Sequence, residues 1–326
     1  MESYFDYNSQ DVTNRHVVDT LQYNDNTVVF DFYSMGFFAV NKFNVHNKEI
    51  IFYDDGNKSI YIFDKENTSS IKKLAGGEGR GPKDILGVQS LSSTDQYFAY
   101  SDQVQHRVTV FDKNKKIVFQ EVMNAPVESL YLRNDELYYL KPSKLDEMLS
   151  VLSVKDKNEK IVIESIPRQV NNVIPVQMTG RLAGNDVIIC HLGYWSGFLN
   201  CYDKASLQKL YSRSVINMQR FAKVFQRVIE GGLASGIEKG EVPASLEFTL
   251  NNDYLFVIPA ERISKKHLID IYDVAKGNYL KSIIFSEEDY LIRSISIDEY
   301  ILYMIIQSDE RSDLKLVNFD LRKSLY

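Results

Sequence analysis

The chain of 326 residues has 38 Lys and Arg against 44 Asp and Glu, a formal net charge of −6, and 44% of its residues are hydrophobic. This composition excludes a wholly disordered chain and a collagen-like repeat, because apolar residues suffice for a core and Gly and Pro are few. No apolar run approaches the roughly 18 residues of a membrane-spanning helix, so we expect no transmembrane segment. The acidic balance disfavours nucleic acid as a partner.

The N-terminal region has neither the basic stretch nor the apolar core of a secretory signal, so the sequence as written predicts a cytoplasmic protein. An exported or cell-envelope protein is the alternative, if Met1 replaces a removed leader. The first β-rich run, residues 16–21, has no repeat unit of its own. We expect it to supply the outer strand of the last unit, because pairing the two ends of the chain removes an open sheet edge.

One pattern recurs along the chain: an alternating apolar segment that ends in an aromatic residue followed by Asp. Successive copies are 44 to 48 residues apart, except for one gap of 70 residues. A period of about 40–50 residues is typical of a four-stranded propeller blade. Six copies predict one all-β domain over residues 1–326, a six-bladed β-propeller of four-stranded antiparallel blades. The copies, of which the third is the weakest, end at Asp64, Asp112, Asp156, Asp203, Asp273 and Asp320.

The first two repeats carry the sharpest motifs. Residues 97–112, YFAYSDQVQHRVTVFD, resemble an NHL-type repeat. Residues 77–84, GEGRGPKD, resemble the glycine-rich loop of the bacterial six-bladed β-propellers called TolB-like or NHL-like, with Asp84 at the acidic position. The resemblance implies a six-bladed propeller but no reaction. The residues themselves predict a blade-linking loop with positive-φ glycines, and Arg80 within it is a candidate anion-binding side chain.

The two cysteines, Cys190 and Cys201, test the strand register of the fourth repeat. The turn between them predicts that they face each other on adjacent strands, and aligning the repeats predicts the same pairing for Ala99 and Val110. Two interpretations remain open: two small buried hydrophobic residues, or a disulfide formed in an oxidising compartment.

An aromatic turn follows Cys190 and contains the only tryptophan. His191 precedes it, and Tyr194 and Trp195 lie within it. Aromatic residues on a loop favour contact with a ligand or partner. The alternative is that Trp195 packs against the adjacent blade.

The long gap predicts a helical insertion at about residues 214–247, between the fourth and fifth blades. Its apolar residues follow the spacing of one helix face, with Asn217 as a candidate N-cap and Gly231 and Gly232 as a candidate stop. Such a helix would pack on the propeller, cover the central channel or dock a partner. The apolar face comprises Met218, Phe221, Val224, Phe225, Val228 and Ile229, and the partner-binding candidates on the other face are Arg220, Lys223 and Arg227.

The sequence contains no strong catalytic motif, and no two of its five histidines have the spacing of metal ligands. Our first hypothesis is a non-enzymatic binding or scaffold protein, monomeric and without a cofactor. It would engage a protein or small ligand through one face of the propeller and the insertion. The alternative is a metal-dependent hydrolase or lyase with its site in the central channel.

Overall fold

The computed structural model describes residues 14–77, 79, 81–124, 126–142, 147–154, 159–161, 180–216, 223–229, 232–310 and 313–326. Two N-terminal strands, β1 (Val17–Leu21) and β2 (Val28–Asp31), precede the repeats, and a short helix α1 (Arg322–Leu325) ends the chain. Between them lie six sheets, numbered here 1 to 6 in chain order, and one separate hairpin.

Sheets 1 to 4 are antiparallel and have four strands each. Sheet 1 contains β3 (Val40–His46), β4 (Glu49–Asp54), β5 (Ser59–Asp64) and β6 (Asn67–Gly76). Sheet 2 contains β7 (Val88–Ser93), β8 (Tyr97–Asp102), β9 (Arg107–Asp112) and β10 (Ile117–Val122). Sheet 3 contains β11 (Leu130–Arg133), β12 (Glu136–Pro142), β13 (Glu147–Ser153) and β14 (Glu159–Ile161). Sheet 4 contains β15 (Gly180–Gly184), β16 (Ile188–Gly193), β17 (Phe198–Asp203) and β18 (Lys209–Ser214).

The C-terminal half adds the hairpin and two sheets that include the N-terminal strands. The hairpin consists of β19 (Val224–Ile229) and β20 (Gly232–Ile237). Sheet 5 contains β21 (Ser245–Leu250), β22 (Tyr254–Pro259), β23 (Arg262–Ile263), β24 (Lys266–Asp273), β25 (Tyr279–Phe285) and β1. Sheet 6 contains β26 (Tyr290–Asp298), β27 (Ile301–Ser308), β28 (Leu314–Asp320) and β2.

The sheets are arranged radially around a channel. Their first strands, called the inner strands here, contact one another in the order β3, β7, β11, β15, β21, β26, and β26 returns to β3. The fold is therefore an all-β propeller. The prediction of six four-stranded blades is wrong in the number of such blades. Five blades are four-stranded, and sheet 5 has six strands because β1 and β23 are added to it.

The N-terminus joins the outer edges of two sheets rather than one. β1, which we expected on the last sheet, pairs in parallel with β25 of sheet 5, and β2 is the antiparallel outer strand of sheet 6. The prediction for residues 16–21 is thus wrong in its partner, although an N-terminal strand does complete the last sheet. The reason lies outside the strand pattern: Arg15 donates to both carboxylate oxygens of buried Asp270 at 3.0 Å and fixes β1 beside sheet 5.

The predicted helical insertion is wrong as well. Residues 224–229 form β19, which pairs with β20 so that Val224 faces Ile237 and Ile229 faces Gly232. The apolar residues of the run VFQRVI follow helical spacing, but its β-branched and aromatic residues favour a strand. Gly232, which we interpreted as part of a helix stop, begins β20 instead, and Gly231 lies outside the described residues. Residues 217–222 lie outside the described residues.

The recurring aspartates cap turns. Each described copy ends a strand, and the Oδ1 atom of Asp112, for example, accepts hydrogen bonds from the backbone N–H groups of Asn114 and Lys116 at 2.9 Å. Asp side chains stabilise turns in this way, by accepting hydrogen bonds from backbone N–H groups a few residues later in the chain. The same bonding to following amides occurs at Asp64, Asp203, Asp273 and Asp320. The motif thus has a structural role.

The strand directions give the propeller two different faces. The described connections between successive sheets all lie where the inner strands begin, and they include residues 32–39 and the described parts of 77–87 and 215–244. We call this the long-loop face. The opposite, short-turn face is formed by hairpin turns of two to five residues, together with α1 at the chain end. The two faces therefore have different capacities to carry a binding site.

Candidate functional site

The central channel is lined by the six inner strands and has a volume of about 320 Å³. An inner strand has no strand partner toward the channel, so side chains of adjacent sheets bond to its free backbone groups. Ser92 Oγ, for example, accepts from the Leu132 N–H at 3.0 Å, and Ser129 Oγ accepts from the Leu182 N–H at 2.8 Å. The other sheet junctions are joined by Asn44 with Ser93, Asn185 with Asn251, Asn251 with Glu299, and Ser296 with Val45. The Ser and Asn side chains of the wall are thus used in holding the ring together.

A group of charged side chains spans the channel at its long-loop mouth. Glu247 of β21 accepts a hydrogen bond from Arg181 of β15 at 2.9 Å, and the Lys42 ammonium of β3 lies 3.6 Å from the same oxygen, Oε1. Arg181 also donates to the Gln89 carbonyl oxygen at 3.0 Å, and Gln89 donates through its side chain to Glu128 at 2.9 Å. Lys42 and Arg181 each reach an inner strand that is not the neighbour of their own. We call these five residues the mouth cluster.

Burial changes the proton affinity of the mouth cluster. Burial lowers the pKa of Lys42 to about 8, and repulsion from Arg181 adds to the effect, while Glu247 offsets only part of it. Burial also disfavours the charge of Arg181, but Glu247, Tyr194 and Glu128 together outweigh this effect and raise the arginine pKa. The mouth thus holds one cation that stays charged and one that titrates near neutral pH.

The short-turn mouth carries a different set of charges. Arg133 donates to both carboxylate oxygens of Asp186, at 2.7 and 2.8 Å. His46 Nε2 lies 3.3 Å from Asp95 Oδ1, and burial lowers the pKa of His46 although Asp95 opposes this. At this mouth Arg133 is therefore matched directly by a carboxylate.

Tyr194 is the predicted site residue that belongs to the channel mouth. Its ring lies under the Arg181 guanidinium, with 5.4 Å between the guanidinium carbon and the ring centroid. Its carbonyl oxygen accepts the Ala244 N–H at 2.6 Å, which ties the aromatic turn to the segment before β21. Trp195 is half-buried beside it.

The other predicted site residues are dispersed. His191 is buried in β16 opposite Leu182, so it lies inside sheet 4 rather than on a face. Lys223 is exposed just before β19, and Arg227 lies in β19 opposite Ala234. Arg80 and Arg220 lie outside the described residues. Of the five candidates that the structure describes, it brings Tyr194 to the channel.

The glycine-rich loop is a structural connection. The Gly81 N–H donates to Asp84 Oδ2 at 2.7 Å, and a Cβ atom on Gly79 would lie 2.3 Å from that oxygen. Buried Arg107 donates to the carbonyl oxygens of Gly81, at 2.9 Å, and Asp84. The glycines therefore make room for the Asp84 carboxylate, and the arginine of the NHL-like segment anchors the loop.

The register prediction for the cysteines is confirmed. Cys190 faces Cys201, and Ala99 faces Val110 at the matching place in sheet 2. The two thiols form a buried disulfide, the second of the two interpretations, with 4.1 Å between the Cα atoms. It joins the two strands that lead into the aromatic turn.

An exposed apolar turn at residues 32–38 was missed in the sequence. Tyr33, Met35 and Phe38 are 44%, 51% and 59% exposed, whereas Phe32 and Phe37 are buried beneath them. The Phe37 N–H donates to the Phe32 carbonyl oxygen at 2.9 Å, and Gly36 between them has φ of 82°. The available signal was the sequence FYSMGFF, in which an apolar run is interrupted by Ser and by a glycine suited to a turn.

Exposed large apolar side chains are unevenly distributed between the two faces. Among the described residues, five lie in loops of the long-loop face, a sixth lies in the short strand β23 on that side, and two lie on the short-turn face. Exposed apolar groups concentrated on one face mark a contact surface more often than scattered ones do. The long-loop set is Tyr33, Met35, Phe38, Val104, Val242 and Ile263, and the short-turn set is Val187 and Tyr326.

In the described part of the chain, the His, Cys, Asp and Glu side chains form no group of three or more that would hold a metal ion. None of its helices is long and apolar enough to cross a membrane.

Comparisons with known proteins agree with the fold. The sequence matches no protein-family model and no curated protein. Its structure is similar to that of U3-55K, with a TM-score of 0.50 and 12% identity over 86% of this chain and 96% of that one. It is also similar to the RRP9 WD40 repeats, with a TM-score of 0.49, 11% identity and coverage of 86% and 94%. BamB from Moraxella catarrhalis gives a TM-score of 0.46, 10% identity and coverage of 85% and 71%. At such identities the likeness concerns the fold alone: the chain is an all-β propeller.

Proposed function

We propose that this protein is a non-enzymatic binding propeller that engages a protein partner through its long-loop face. The observation that carries the proposal is the exposed turn of Tyr33, Met35 and Phe38. Large apolar and aromatic side chains of this kind are the usual anchors of protein interfaces.

The turn is built to present these anchors without a large entropic cost. Phe32 and Phe37 pack against Phe52 with ring centroids 5.0 and 5.1 Å apart, and the rings of Tyr33 and Phe38 lie edge to face at 5.0 Å. A rigid anchor loses little conformational freedom on binding, so more of its burial contributes to affinity. This favours a preformed contact surface.

Two other features of the same face support the proposal. The aromatic turn of Tyr194 and Trp195 lies there, and so does the hairpin of β19 and β20, which pairs with none of the six sheets within the described part of the chain. A hairpin outside the sheets leaves two strand edges that a partner strand can extend. The proposed interface therefore includes the insertion that we had expected to be helical.

The test compares capture of proteins from native extract by three forms of the purified protein. The variant Y33S/M35S/F38S should lose a partner that the unchanged protein retains, while the matched short-turn variant V187S/Y326S should keep it. Each captured polypeptide is then purified and titrated directly against all three forms. Equal retention by both variants, or no partner that binds directly, would contradict the proposal.

The finer assignments rest on particular residues. Membership of the TolB-like or NHL-like propellers is proposed from residues 77–84 and 97–112, whose Asp84 and Arg107 hold one loop. Location in an oxidising compartment is proposed from the Cys190–Cys201 disulfide, because such bonds persist mainly outside the cytosol. Thiol labelling of the protein taken directly from its native host tests the second assignment: labelled cysteines would contradict it.

A further inference from the structure

The long-loop mouth of the channel holds a lysine whose charge is poorly matched. Among the described residues, only Glu247 brings a carboxylate within 4 Å of the Lys42 ammonium, and its 3.6 Å distance exceeds that of a hydrogen bond. The same oxygen accepts a hydrogen bond from Arg181 at 2.9 Å. One carboxylate oxygen thus interacts with two cations, and its interaction with the lysine is the weaker one.

The space beside this ammonium is enclosed and polar. The Lys42 side chain is 17% exposed, and the residue lines the channel. On the neighbouring inner strands, small Ser90 and Ser294 occupy the place that Lys42 has on β3, just after a β-bulge. The Arg181 Nε atom is buried and has no hydrogen-bond partner among the described residues. The mouth therefore offers donors and room to a small anionic group.

We propose that the long-loop mouth of the channel is a binding site for a single carboxylate group, held by the ammonium of Lys42. The group would be carried by a small free acid, or by an acidic side chain or C-terminus of a bound protein. Its negative charge would give Lys42 a close partner and reduce the repulsion between Lys42 and Arg181. The site does not depend on the exposed turn at residues 32–38.

Binding at this site should be linked to proton uptake. The pKa of Lys42 is lowered to about 8, so near that pH about half of the free protein carries a neutral amine. A bound carboxylate favours the charged form and raises this pKa. The charged and titratable groups facing Lys42 are Arg181, Glu247, Glu128 and, beside Arg181, Tyr194. The pKa values of Arg181 and Tyr194 are raised, so neither titrates near pH 8.

Calorimetric titration of the full chain with sodium acetate, at pH 8 and constant ionic strength in two buffers of different ionisation enthalpy, tests the proposal. We expect the unchanged protein to bind acetate and take up about half a proton per site. Lys42→Met should weaken binding at least tenfold. Lys42→Arg should keep binding without the proton uptake, because arginine remains charged. Lys58→Met is the matched control: Lys58 lies on the same face, 2.7 Å from Asp55, and is not among the channel-lining residues.

Three results would overturn the proposal: no acetate binding by the unchanged protein, equal binding by Lys42→Met, or binding without proton uptake at pH 8. The Lys42→Arg variant keeps the test valid if Lys42→Met does not fold. Release of a captured partner by acetate, absent in Lys42→Met, would identify a carboxylate of that partner as the natural group. Acetate binding that leaves the partner in place would identify a small free acid as the natural ligand of the site. Loss of the partner from Y33S/M35S/F38S alone bears only on the exposed turn.

Discussion

The two faces of the propeller are built from the same strands, but the connections on each face are held in different ways. On the short-turn face, turns of two to five residues are capped locally, as Asp112 caps the turn after β9. On the long-loop face, connections such as residues 77–87 are held by distant buried groups such as Arg107. Turns whose hydrogen bonds are made within the turn leave little surface that can vary. Loops held by a distant buried side chain can expose their own side chains and still stay ordered. This difference supports the proposed placement of the binding surface on the long-loop face, whose order depends on distant anchoring groups.

The largest effect should come from removing the anchor of a long loop. Arg107→Ala leaves the carbonyl oxygens of Gly81 and Asp84 without their charged donor, and it opens space in a buried site. We expect unfolding free energy to fall by about 3 kcal/mol in chemical denaturation. Arg213→Ala is the control, because Arg213 makes a single exposed contact with the Lys276 carbonyl oxygen. Similar losses in the two variants would contradict the distinction between anchored and peripheral arginines.

A slightly smaller effect is expected from the disulfide, which lies between the two faces at the base of the aromatic turn. The variant C190A/C201A frees a loop of 11 residues in the unfolded chain. Loop-closure entropy then predicts a loss of roughly 3 kcal/mol or less. Denaturation of the unchanged protein with and without reductant should show the same loss. If neither comparison changes the midpoint, the crosslink does not stabilise the fold.

The mouth cluster predicts a dependence of stability on pH above neutrality. The pKa of Lys42 is about 8 in the folded protein and its ordinary value is 10.5, so between these values the unfolded chain binds more protons. Stability should therefore rise with pH from 7.5 to 9.5, by about 2 kcal/mol from this group, and below pH 8 the penalty is fully present. Lys42→Met should lack this rise, and Lys65→Met, in a turn of the short-turn face where Lys65 pairs with Asp298, should keep it. Denaturation at the two pH values measures the difference, and an unchanged slope in Lys42→Met would contradict it.

The smallest effect is expected from a single turn on the short-turn face. Asp112→Ala removes the acceptor for the Asn114 and Lys116 amides, and both groups then turn to water because the turn is exposed. The expected loss is about 1 kcal/mol, with no change in partner capture. Asp112→Asn should recover part of it, because its amide oxygen still accepts. A loss as large as that of Arg107→Ala would remove the distinction between locally capped and remotely anchored connections.

Much of the scaffold could be predicted because it repeats. The spacing of the recurring aspartates predicted the radial sheets, since each copy marks the end of a strand and the start of a turn. The repeat offset and the position of the turn predicted that Cys190 faces Cys201, because the turn of a hairpin fixes the register of its two strands. The insertion could not be predicted in this way. VFQRVI fits both a helix and a strand, and only its pairing with β20 selects the strand.

The candidate sites were decided by tertiary structure. Lys42, Arg181 and Glu247 are far apart in the sequence, and nothing in the residues around them marks a site. They meet because closure of the ring brings three inner strands around one channel. The partner of β1 was set by the pairing of Arg15 with Asp270, a contact across 255 residues. The sequence by itself thus determined what local alternation and turn chemistry control: strands, turns, register and the propeller architecture. Which charges face each other across the channel, and which aromatic residues remain exposed, depends on long-range packing that no local pattern records.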